Sequence, residues 1–96
     1  MIRYYVDTLY IRRPAFVISP LIYNQKSSLA LFMPITSNHK NYPFEVALPS
    51  ELRIHGVILV DQIKCLNWKA RPLKFVESVP QDLIEEVQAK IEPLLF

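Results

Sequence analysis

The chain has 96 residues, 51% of them hydrophobic and 11% aromatic, with a formal net charge of +2. That supports one domain with one core and excludes a disordered chain, in which low hydrophobicity meets high charge. No apolar run reaches the ~18 residues that a membrane-spanning helix requires. The opening "MIRYYVDTLYIRRP" lacks the charged head, apolar run and small-residue cleavage site of a secretory signal. Cys65 is the single cysteine, which excludes an intrachain disulfide and a cysteine metal cluster. These features lead us to expect a cytoplasmic protein.

The strands come first. Ala15–Ser19 is a compact apolar run between Pro14 and Pro20. Ser28–Ile35 is a second run, with an edge or bulge expected at Pro34. Tyr42–Leu48 alternates in part, with Phe44, Val46 and Leu48 on one face and Glu45 on the other. Gly56–Leu66 reads as the longest strand, buried on both faces at its start and broken into by Asp61, Gln62 and Lys64. Leu73–Val76 is a last short strand. The stretches "NQKS", "SNHKN" and "PSELRIH" supply turns.

One helix closes the chain. Ser78 and Gln81 have capping-box spacing, and Pro80 suits the first turn. Leu83 or Ile84, Val87, Ile91 and Leu94 or Leu95 then recur at helical spacing. Glu86 and Lys90 form an i, i+4 pair, and Pro93 should end or distort the last turn. This helix is acidic: Asp82, Glu85, Glu86 and Glu92 stand against Lys90, which leaves the preceding 80 residues with a charge of +5. A basic body suits a polyanionic ligand such as RNA, and equally describes an unevenly charged solvated surface. The elements predict a mostly β fold with a C-terminal helix, a small antiparallel barrel in a single domain over residues 1–96. The apolar end "PLLF" suits either a dimer seam or packing on its own barrel.

No glycine-rich phosphate loop is present, since Gly56 is the only glycine. His39 and His55 each stand alone among turn residues and read as loop histidines rather than metal ligands. No metal or cofactor is expected. What remains is a set of polar residues at strand ends. Arg12 and Arg13 precede the first apolar strand. Thr36, Ser37, Asn38 and His39 follow the second. Asp61, Gln62 and Lys64 interrupt the fourth, and Trp68, Lys69 and Arg71 come after it. Arginine presents a planar fork to phosphate, and a tryptophan among cations can stack a base. Each residue has a structural alternative. Arg13 can pair with Glu45 or Asp7, Thr36 can serve a turn, Asp61 can pair with Lys64, and Trp68 can be core.

The stretches "RRPAFVISPLIYNQKS", "PITSNHKNYPFEVALP" and "GVILVDQIKCLNWKAR", followed by "VPQDLIEEVQAKIEPLL", resemble the MazF/PemK family of toxins, close to its MazF branch, over residues 12–95. The resemblance implies an SH3-like barrel of the PemK/CcdB type and a homodimer. It further implies a metal-independent, sequence-specific endoribonuclease of a bacterial type II toxin–antitoxin pair. Such an enzyme cuts single-stranded RNA to 2′,3′-cyclic phosphate or 3′-phosphate ends, and a cognate antitoxin protein inhibits it. Carried over residue by residue, the catalytic positions fall on Arg13, Thr36 and Asp61. RNA contacts fall on Arg12, Ser37, Asn38, Gln62, Lys64, Trp68 and Arg71.

One departure stands out. Family members carry a longer, glycine-containing loop before the "RP" pair, whereas here "YYVDTLYI" runs directly into "RRP". The chain is either a short form or one whose numbering omits that loop. The absence of glycine from "TLYIRRP", where a tight turn would use one, favours omission. A non-catalytic barrel that binds a protein target, as CcdB-like relatives bind gyrase, and a barrel that binds RNA without cleavage are the competing functions.

Overall fold

The computed structural model describes residues 3–7, 13–38, 41–70 and 73–96; for residues 3–7 and 13 it describes the backbone. In chain order the elements are β1 (Arg3–Asp7), β2 (Arg13–Val17), helix α1 (Leu21–Ser27), β3 (Leu29–Thr36), β4 (Glu45–Ala47) and β5 (Val57–Leu59). A single 3-10 turn, Val60–Gln62, precedes β6 (Lys64–Asn67). A second, Trp68–Ala70, precedes β7 (Leu73–Ser78) and helix α2 (Gln81–Leu95). The expectation of a segment omitted before Arg12 falls on residues 8–12, outside the described residues.

All the pairings are antiparallel, in the order β4-β5-β3-β2-β1-β7, with β6 also on β3. The expected small barrel is thus a strongly connected sheet whose path, among the described residues, does not close between β4 and β7. Strand β3 organises it. One edge takes β2, with Phe16 opposite Met33. The other edge takes β6 along Leu29–Phe32 and then β5 along Ile35–Thr36.

That double pairing corrects the expectation of one long strand over Gly56–Leu66. The segment does run beside β3, but the Val60–Gln62 turn breaks it in two. Val60 points into the core at 0% exposure while Asp61 and Gln62 stay exposed. Apolar residues mark the sheet; the polar pair marks where the ladder is interrupted. The chain also makes a helix, α1, where "NQKS" suggested only a turn. Asn24 is buried at its centre. Its Oδ1 accepts from Ser19 Oγ at 2.6 Å, and its Nδ2 donates to the Ser19 carbonyl. Ser19 Oγ in turn accepts the Leu31 N–H at 2.9 Å, tying α1 to β3. Ser28, at φ 64°, ends the helix in the left-handed region.

The period-2 alternation puts the two faces of the sheet in separate clusters. Phe16, Met33, Ile35, Val46, Ile58 and Val60 form the larger cluster, which α2 covers with Leu83, Ile84 and Val87. Val17, Ala30 and Phe32 form the smaller one, flanked by Leu66, Trp68 and Leu73. The expected capping box does not form: Ser78 belongs to β7, and Pro80 stands before the first turn with no side-chain cap. Pro93 neither ends nor breaks the helix before Leu95; it sits in the last turn, where it removes one N–H from the ladder but little helix follows it to be displaced. Lys90 reaches across to donate to the Pro43 carbonyl at 2.9 Å. Leu94, Leu95 and Phe96 are exposed.

Gly56 is required by close approach. Its φ is +126°, and a Cβ there would lie 2.3 Å from the Thr36 carbonyl oxygen. Gly56→Ala should therefore destabilise the fold by about 3 kcal/mol or more, through strain and overpacking together. Ile58→Val, a clean loss of one methylene nearby, should cost about 1 kcal/mol. Urea denaturation of both variants checks the contrast.

Candidate RNA-cleaving site

The C-terminal end of β3 opens onto a run of adjoining clefts. One, of about 550 Å³, is lined by Pro14, Pro34, Thr36, Ser37, His55 and Gln62, among others. A second, of about 310 Å³, shares Thr36 and Gln62 with it and adds Asn38, Tyr42 and Glu45. A third, of about 560 Å³, shares Ser37 and His55 with the first, and Tyr42 and Glu45 with the second. The shared walls make one continuous surface, part polar and part apolar, around Thr36–Asn38.

Local structure explains why these side chains converge. Thr36 is the last residue of β3, paired with Val57, so the chain leaving β3 and the chain entering β5 meet at one edge. The Thr36 hydroxyl accepts the Asn38 N–H at 3.1 Å, turning the chain toward Tyr42. The Val60–Gln62 turn then brings Gln62 to the same wall. Pro14 enters from β2, whose Ala15 pairs with Pro34. Arg13 directly precedes Pro14 and lies in register with Asp7 of β1.

Of the residues singled out from sequence, Thr36, Ser37, Asn38 and Gln62 thus share the clefts, and the Arg13 backbone stands beside them. Arg12, Arg71 and His39 lie outside the described residues. Asp61 is exposed next to the clefts, and its carboxylate accepts the hydroxyl hydrogen of Tyr42. Lys64, at the start of β6, pairs with Phe32 and is exposed. Trp68 is farther off: its indole N–H donates to the Asn24 carbonyl at 2.9 Å, its ring borders the smaller cluster, and Lys69 Nζ lies 5.6 Å from it. A separate cleft of about 90 Å³ lies between Trp68 and Leu21, Asn24 and Gln25 of α1.

Sequence reasoning missed Tyr42, Glu45 and His55 as cleft residues. Alternation did place Glu45 off the core face, but the pattern of one strand cannot show which loop shares its edge. Among the described residues, no three His, Cys, Asp or Glu side chains stand together as a metal site would need. No helix among them is long and apolar enough to cross a membrane.

The Tyr42–Asp61 contact has an electrostatic consequence. Hydrogen bonding to the Asp61 carboxylate, with lesser contributions from desolvation and from the charges of Asp61 and Glu45, raises the phenol above its ordinary value of 10.0. The folded state therefore holds its proton longer than the unfolded state. The stabilising contact is complete below pH 10 and is lost as pH rises through the folded value. Asp61→Asn should bring the Tyr42 titration down toward its ordinary position, which NMR of the ring resonances at alkaline pH reads directly.

Comparison with known proteins agrees with this architecture. A family model described as PemK-like, MazF-like toxin of type II toxin–antitoxin systems matches residues 10–95. The endoribonuclease toxin MazF of Escherichia coli K12 is 41% identical over 83 residues, which are 86% of this chain and 74% of that protein. The endoribonuclease PemK of Escherichia coli is 30% identical over 87 residues, covering 86% of this chain and 65% of that one. In a crystal structure of MazE–MazF from Deinococcus radiodurans, a chain 39% identical superposes with a TM-score of 0.91, over 97% of this chain and 91% of its own length. A mycobacterial endoribonuclease, 16% identical with a TM-score of 0.83, shares the fold. The order of strands about β3, the closing helix and the family model agree over nearly the whole length, and this chain belongs to the PemK-like, MazF-like toxins of type II toxin–antitoxin systems.

Proposed function

We propose that this chain is an endoribonuclease that cuts single-stranded RNA at short sequence motifs without a metal, and that a cognate antitoxin protein neutralises it. The observation that carries this reading is the meeting of Thr36, Ser37, Asn38 and Gln62 in two adjoining clefts, one of which Pro14, the neighbour of Arg13, also lines. The relatives named endoribonuclease, and the complexes of MazF with MazE, support the same reading. The protein acts as a homodimer in the bacterial cytoplasm.

The chemistry follows from the residue types. The ribose 2′-hydroxyl attacks the adjacent phosphorus, and negative charge gathers on the non-bridging oxygens. An arginine fork neutralises that charge and fixes the phosphate in two directions. We assign this role to Arg13, the first residue of β2, whose backbone is fixed by pairing with Asp7 of β1. The Thr36 hydroxyl donates to the same developing charge. Ser37, Asn38 and Gln62 offer donors and acceptors to base edges. Asp61 acts by orienting Tyr42, whose ring edges against Phe44 at a centroid distance of 5.7 Å and walls the cleft. Arg12, Lys64, Trp68 and Arg71 serve the flanking RNA strand, the cations by charge and Trp68 by stacking.

Incubation of the purified protein with mixed-sequence RNA in EDTA tests the whole reading. Discrete cuts at one motif, with 2′,3′-cyclic phosphate or 3′-phosphate ends, are expected. Binding without cuts would leave an RNA-binding barrel, and neither binding nor cuts would point to a protein target. Arg13→Ala should abolish cleavage while leaving the melting curve unchanged. Thr36→Ala should raise the barrier by about 2–4 kcal/mol, the size of one lost oxyanion donor; full activity in either variant would remove that residue from its role.

A further inference from the structure

His55 lies where the cleft lined by Thr36 meets the cleft lined by Tyr42 and Glu45, and the reaction as described so far leaves it without a task. Its place is fixed by the backbone on both sides. Val57 pairs with Thr36, Gly56 lies against Thr36 and Ser37, and His55 shares both cleft linings with Ser37. The Gly56 backbone touches the Thr36 carbonyl at a distance no side chain would permit, and its own carbonyl accepts the Leu48 N–H at 3.0 Å. On the other side, Glu77 of β7 accepts the N–H groups of Arg53 and Ile54 at 2.8 and 3.0 Å. The segment is pinned at both ends, and the imidazole between the pins is exposed to the clefts.

Cleavage by the 2′-hydroxyl needs a group that takes its proton. A threonine hydroxyl is not a base near neutral pH. Among the described residues lining the clefts, the titratable side chains are Tyr42, Glu45 and His55. Tyr42 is a protonated phenol near neutral pH, its hydroxyl hydrogen held by Asp61, and a neutral phenol is not a base. Carboxylates as a class are weaker bases than imidazoles, which ordinarily change charge between about pH 5 and 8.

We propose that His55 is the general base of the ribonuclease reaction, an assignment that rests on the ribonuclease reading above. Neutral imidazole takes the 2′-hydroxyl proton as that oxygen bonds to phosphorus. The bond from phosphorus to the 5′-oxygen breaks, and the leaving oxygen takes a proton from water. The products are a 2′,3′-cyclic phosphate and a 5′-hydroxyl, and the imidazolium returns its proton to the hydroxide so formed. The charged groups around it are Glu45 from β4, Glu77 from β7 and Arg53 two residues earlier in the chain. The histidine contribution is therefore read against a Glu45→Gln control.

The test is single-turnover cleavage of single-stranded RNA in EDTA across pH 5–9 by wild type, His55→Gln, His55→Ala and Glu45→Gln, with RNA affinity and melting measured alongside. Both histidine variants should cut roughly 10²–10⁴-fold more slowly at unchanged RNA affinity. They should also lose the fall in rate on the acid side that wild type shows, and added imidazole should restore part of the His55→Ala rate. Wild-type rates and an intact acid limb in His55→Gln would overturn the assignment. So would loss of that limb in Glu45→Gln alone, or a defect confined to RNA binding or stability. If wild type itself cuts no RNA, the ribonuclease reading fails and this one falls with it; if wild type cuts and His55→Gln matches it, only the role of His55 falls.

Discussion

Strand β3 carries three ladders, and the rest of the molecule is arranged by how its second edge is shared. That edge is taken first by β6 and then by β5, with one 3-10 turn between them. The change of partner leaves the end of β3 paired only along Ile35–Thr36 on that side, and the chain must diverge there. Divergence at a strand end creates a concavity lined by backbone-fixed side chains, the usual setting for a polar site on a rigid sheet. The contact of Gly56 with the Thr36 carbonyl is what lets the two chains remain close enough to share it.

The same feature couples core and site. Val60 is fully buried under α2 while the next two residues of its turn face the clefts or their rim. A change in the packing of Leu83, Ile84 or Val87 would therefore be felt at Gln62 and Asp61 through a turn of three residues. On the far face, Asn24 performs a comparable service for α1. Its side chain is satisfied by Ser19 and its carbonyl by Trp68, so the helix, β3 and the turn after β6 are locked by buried polar groups rather than by bulk alone.

Much of this was legible in the sequence because burial leaves a period. The runs at Ala15–Ser19, Ser28–Ile35 and Leu73–Val76 correspond to β2, β3 and β7, and the spacing of Leu83, Ile84, Val87 and Ile91 to the buried stripe of α2. The break inside Gly56–Leu66 was visible as polar residues, but a polar interruption does not say whether a strand bulges, turns or ends. Helix α1 was hidden because its one buried residue is an asparagine, which reads as a turn former until its partners are known. The capping box at Ser78 was outweighed by the ladder to Arg3, a tertiary partner that no local spacing reveals. Within the site, the residues after β3 were legible as a cluster. Tyr42, Glu45 and His55 were not, because their proximity to Thr36 depends on sheet order.

The ladder between β1 and β7 joins nearly opposite ends of the chain, with Arg3 beside Ser78. Such a pairing spans a long stretch of sequence, so closing it costs more loop entropy than closing the β2–α1–β3 unit. During synthesis the sheet cannot be completed until residue 78 has left the ribosome, and the larger cluster remains uncovered until α2 follows. At about 5–20 residues per second, the final stretch from β7 to the end of α2 takes on the order of seconds. The walls of the cleft, which end at Gln62, are therefore made before the strand and the helix that complete their support, and the site precedes its own scaffold in the order of synthesis.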